Sequence, residues 1–157
     1  MSIDIHMLLR TPLSAAEVRA ALVHDPALAD LGLVDHGERV GMGSDLVGLD
    51  VTSWEEDDHD LIEGGFETAT VRVLLFPKRG RAGWDAYHRT FAAILRLVPG
   101  DACAQEQGGG PLGLLRLDGV VYVNPNWISP ENLARFGYHP ERIMVGIPPQ
   151  TAEAAAQ

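Results

Sequence analysis

A chain of 157 residues with 46% hydrophobic content is long enough to bury one core without help from disulfides or metals. Its 22 acidic against 12 basic residues give a formal net charge of -10, which argues against nucleic-acid binding, because neutralising phosphates needs clustered Lys and Arg. The lone Cys103 excludes an internal disulfide, and no apolar run approaches the roughly 18–20 residues of a membrane span.

The opening residues, Met1-Ser2-Ile3-Asp4, lack the basic region of a secretory signal, so the expected location is the cytoplasm. Residues 3–10 alternate apolar and polar side chains and predict a half-buried strand that ends at Thr11-Pro12. A helix follows with a full set of start signals. Ser14 stands at the cap, Glu17 three residues on can answer it, and Leu13 and Val18 occupy the staple positions. Val18, Ala21 and Leu22 then share one face, and Asp25-Pro26 closes or kinks the helix.

Two short strands are expected at residues 31–36 and 46–53, separated by Gly37, Gly41 and Gly43. An acidic loop, Glu55-Glu56-Asp57-Asp58-His59-Asp60, runs on to Gly64-Gly65. Residues 66–77 carry the strongest strand pattern, stopped by Pro77. Trp84, Tyr87, His88, Phe91, Ile94, Leu95 and Val98 fall at helical spacing, predicting the main core helix over residues 82–98. Phe91 and Leu95 should pack on the strand before it, either on Val71, Val73 and Leu75 or on Leu74 and Phe76, since a one-residue slip of register exchanges the two sets.

Residues 101–107 predict a short strand, and residues 112–117 and 120–124 a hairpin turned by Asp118-Gly119, which suits the two positive φ angles of a type I′ turn. Ser129-Pro130-Glu131 starts a last short helix, with Gly137 available to end it. Residues 151–157 are an Ala-rich tail expected to be disordered. The order of elements predicts one α+β domain over residues 1–150. It has a mostly antiparallel sheet, two main helices packed on one face and a short C-terminal helix.

The layout, together with the segment Leu114-Leu115-Arg116-Leu117-Asp118-Gly119-Val120-Val121-Tyr122-Val123-Asn124, resembles the immunity proteins of bacterial swarming-inhibition toxin systems. The likeness spans most of residues 1–128 and is one of pattern; the hairpin signature is shared by many type I′ hairpins. It supplies no catalytic residues. It implies neutralisation of a cognate toxin by binding.

The chemistry-bearing residues are scattered. No two of the six histidines stand at metal-ligand spacing on one helix, Cys103 has no partner in a CxxC, and Gly108-Gly109-Gly110 precedes neither a Lys-Ser/Thr pair nor a helix. No cofactor and no metal is expected. The acidic run has five carboxylates in six residues. It suits a basic protein partner, while its plainer reading is a solvated loop. Trp54 directly before it and Trp127 after the hairpin are aromatic anchor candidates, or else half-buried strand-end residues.

The partner-binding set is therefore Trp54, Glu55, Glu56, Asp57, Asp58, Asp60 and Trp127, in a protein without catalytic activity of its own. A rival reading places a small-molecule or catalytic pocket between the sheet and helix 82–98, lined by Trp84, Tyr87, His88 and Arg116. A third has the apolar segment 143–149 pack on a second copy in a homo-oligomer.

Overall fold

The computed structural model describes residues 4–54, 69–78, 80–106, 112–127 and 129–148. The structure is α+β. Its nine strands are β1 (Ile5–Arg10), β2 (Val34–Asp35), β3 (Met42–Gly43), β4 (Val47–Ser53), β5 (Val71–Pro77), β6 (Asp101–Glu106), β7 (Leu114–Leu117), β8 (Val120–Val123) and β9 (Ile143–Val145). They form one sheet in the order β2-β3-β4-β5-β1-β6-β7-β8-β9. Every neighbouring pair is antiparallel except β8 with β9. The helices are α1 (Ala15–His24), α2 (Gly80–Leu97) and α3 (Pro130–Arg135), with 3-10 turns at Pro26–Leu31 and Pro140–Arg142.

Local chemistry accounts for the helix ends. The Glu17 amide donates to Ser14 Oγ at 3.1 Å while Ser14 N–H donates to Glu17 Oε1 at 3.0 Å, so each residue satisfies the other's orphan amide. Those bonds also hold the Glu17 carboxyl below its ordinary pKa. At α3, Ser129 Oγ accepts from Asn132 N–H. Gly137, at φ 105°, lets Tyr138 N–H reach back to the Leu133 carbonyl and Gly137 N–H to that of Ala134, a Schellman ending. Asp118 and Gly119 take φ 50° and 82°, as the hairpin turn requires.

The core settles the open question of sheet face. Val71, Val73 and Leu75 are fully buried, as are Phe91 and Ile94 of α2 and Val18 and Leu22 of α1; they join Met7 and Leu9 in one cluster. Leu74 and Phe76 lie half-buried on the other face. A smaller cluster of Leu8, Ala69, Cys103, Leu112 and Leu115 forms there, since Leu8 points opposite to Met7 and Leu9.

Several expected elements change. Asp25-Pro26 does not merely close α1; Asp25 Oδ1 accepts from Ala27 N–H and starts the 3-10 turn, which absorbs Leu31. The strand expected at 31–36 is thereby cut to two residues, pairing with the unforeseen β3. The strand expected from 66 begins at Val71, because Thr70 N–H and its hydroxyl both turn to the Leu9 carbonyl; residues 66–68 lie outside those described. Helix α2 starts at Gly80, two residues early. Part of the 143–149 segment is the edge strand β9, held by Gly146 N–H on the Val123 carbonyl at 2.8 Å. No helix among the described residues is long and apolar enough to cross a membrane.

Candidate functional site

Of the expected partner-binding set, Glu55, Glu56, Asp57, Asp58 and Asp60 lie outside the described residues. Trp54 follows β4 directly. Its N–H donates to the Thr70 carbonyl at 3.0 Å, and its half-buried ring packs on the Leu8–Leu115 cluster. Trp127 packs instead on the main core, edge-to-face with Phe91 at 5.6 Å. A Cβ at position 113 would overlap its ring, so Gly113 leaves the space that the indole fills. The two tryptophans thus serve opposite faces of the sheet, and the structure does not bring them into one patch.

The cleft lined by Trp84, Tyr87, His88 and Arg116 does not assemble. Trp84 sits in the first turns of α2, whereas Arg116 meets its other end, about 16 Å away at 1.5 Å per residue. Arg116 is 4% exposed and donates through Nε to the Gly100 carbonyl at 2.7 Å, through Nη2 to Val98 at 2.6 Å and through Nη1 to Leu95. The Leu95 and Val98 carbonyls stand at the C-terminal end of the helix, the negative end of its dipole, and Gly100 lies in the connection to β6. Burial lowers the Arg116 pKa, opposed by Tyr138 and Asp101, but a guanidinium stays charged in proteins.

The aromatic residues at the start of α2 form a ladder on the outside. His88 stacks on Trp84 (5.8 Å) and on Phe136 (6.4 Å), and the Arg135 guanidinium lies over the Phe136 ring at 5.0 Å. His88 Nδ1–H donates to the Trp84 carbonyl at 2.8 Å. Desolvation among these rings is the main cause of its lowered pKa; the Trp84 bond and Asp85 oppose it. Tyr87 beneath is buried, and that burial raises its phenol pKa. With its hydroxyl held protonated and its ring in the core, Tyr87 is placed for packing rather than for proton transfer.

Composition did not single out the end of the sheet at β2, β3 and β4. There a cavity of about 790 Å³ opens, lined by Val34, Val40, Asp45, Asp50, Phe76 and Lys78 among others. Val34 and Val40 are 50% and 74% exposed. Three glycines make one wall. A side chain at Gly41 would stand 2.6 Å from Asp50 Oδ1, one at Gly43 would stand 2.6 Å from the Val47 carbonyl, and one at Gly48 would overlap the Phe76 ring. Asp30, also on the cavity, is engaged: Arg89 grips both its oxygens at 2.6 and 2.9 Å, which holds its carboxyl below the ordinary range. Asp45 and Asp50 meet no cation within ion-pair distance among the described residues.

Among the described residues, no three of His, Cys, Asp and Glu come together in a way that could hold a metal ion. At the β2–β4 end, Asp45 and Asp50 offer negative charge beside the apolar surface of Val34 and Val40. Comparison with protein families, with curated proteins and with solved structures gives no match to this chain.

Proposed function

We propose that this chain is a non-catalytic, cytoplasmic protein-binding domain for a basic protein partner, and in its most specific form an immunity protein that neutralises a bacterial toxin. In this reading the two long helices cover one sheet face, and the contact surface includes the β2–β4 end and Trp54, which the acidic residues follow in sequence. The observation that carries it is the pair Asp45 and Asp50, lining a cavity beside exposed Val34 and Val40 and, among the described residues, with no cation within ion-pair distance. A protein with net charge -10 has no gain in stability from keeping such carboxylates unpaired, whereas a basic partner would find them already placed. The resemblance of residues 114–124 supplies the toxin; the charge supplies the sign of its surface.

The test starts from the protein encoded beside this one. Co-expression should protect cells from its toxicity, and the purified pair should associate more slowly as salt rises, because steering by exposed charge is screened over about 8 Å at physiological ionic strength. Changing Glu55, Glu56, Asp57 and Asp58 together to Ser should slow association and flatten that salt dependence. Protection lost while the chain stays folded would support the reading; a non-toxic neighbour that does not bind would end it.

A further inference from the structure

We propose that the β2–β4 cavity is a socket for an arginine side chain of the partner, seated on Phe76 and held by Asp50 and Asp45. This rests on the protein-binding reading and names the group recognised.

The geometry begins with alternation. Leu49 is buried in the core, so its neighbours Gly48 and Asp50 point to the opposite face. Gly48 pairs with Phe76 across β4 and β5, and Asp50 with Leu74. Because position 48 has no side chain, the Phe76 ring occupies the space its Cβ would take, and Phe76 lines the cavity. Asp45 stands at the tip of the β3–β4 turn, which is fixed by Ser44 N–H on the Val47 carbonyl at 2.8 Å and Leu46 N–H on Ser44 Oγ at 3.1 Å. The cavity is therefore lined by an aromatic ring, two carboxylates and an apolar rim.

A guanidinium meets all three. It stacks on an aromatic face, pairs with a carboxylate through two parallel bonds, and sheds water more readily than an ammonium. Its aliphatic stem would lie along Val34 and Val40. The other titratable groups facing the cavity leave this choice intact: Asp30 is taken by Arg89, and Lys78 and His36 also line it without coming within ion-pair distance of Asp45 or Asp50. At about 790 Å³ the cavity exceeds a single side chain, which favours an arginine carried on a peptide segment over the free amino acid.

The experiment titrates the ¹⁵N-labelled full chain with a blocked five-residue peptide bearing a central arginine, and with its lysine and citrulline counterparts. Amide shifts should concentrate at residues 41–50 and at Phe76, with arginine binding best and citrulline not at all. Asp45→Asn with Asp50→Asn, isosteric changes that spare the fold, should weaken the arginine peptide about tenfold. Phe76→Leu should narrow the arginine-over-lysine preference about threefold. Equal binding of citrulline, shifts scattered over the acidic surface, or an unchanged affinity in the double variant would each overturn the socket. The neighbouring gene's product, measured with the same double variant, separates the two levels. If it binds the variant as well as the wild type, the socket fails and the protein-binding reading stands. If only the peptide binds the wild type, the socket stands and the toxin reading fails.

Discussion

Arg116 Nη2 donates to the Val98 carbonyl at 2.6 Å, so a residue of the β7–β8 hairpin caps the C-terminus of α2. The same guanidinium holds the carbonyls of Leu95 and Gly100. One buried cation thus replaces the water that an exposed helix end would use.

Arg116→Ala should cost about 3 kcal/mol, since it leaves buried carbonyls without donors. Arg116→Lys should recover less than half, because one ammonium cannot span three divergent acceptors. Urea denaturation checks this; a loss under about 0.5 kcal/mol, the range of ordinary surface changes, would mean the cap is incidental.

Leu95→Ala should destabilise by about 2–5 kcal/mol, because Leu95 is 2% exposed in the main cluster. Trp127→Ala should cost about 2–3 kcal/mol, less than a fully buried tryptophan, by removing its contact with Phe91. Gly113→Ala should also destabilise, by displacing that ring. Thermal melts of the three variants decide it: an unchanged melting temperature in Trp127→Ala would return that residue to the surface.

His88 sets a pH dependence. Its folded pKa lies below the ordinary 6.5, so below that pH the unfolded chain takes up a proton that the folded chain resists. The stability is present above about pH 6.5 and is lost as pH falls from there toward the depressed folded value. Wild type should therefore lose melting temperature between pH 6.5 and 5, and His88→Gln should lose less over the same interval. Parallel curves for the two proteins would show that the ladder does not resist protonation.

Chelation is expected to leave the melting temperature where it is, because the sequence carries no ligand set at structural metal spacing. A fall of several degrees with EDTA, reversed by Zn²⁺ or Ca²⁺, would show otherwise.

What could be read from the chain alone was local. Ser14 with Glu17, Ser129 with Pro130, Gly137, Asp118-Gly119 and the 3.6-residue spacing of Phe91, Ile94 and Leu95 act through neighbours a few residues away, so their pattern carries their structure. What only the tertiary structure decided depends on strangers in sequence. The choice of Val71, Val73 and Leu75 over Leu74 and Phe76 came from pairing with β1 and β4. The parallel β9 needed β8 as its template, and two-residue strands such as β2 and β3 have too few residues to show a period. Arg116 read as a cleft residue until the end of α2 stood over it, 16 or more residues back along the chain. The socket at Asp45, Asp50 and Phe76 was invisible for the same reason: no spacing marks a cavity whose ring fills the space left by a glycine on the neighbouring strand.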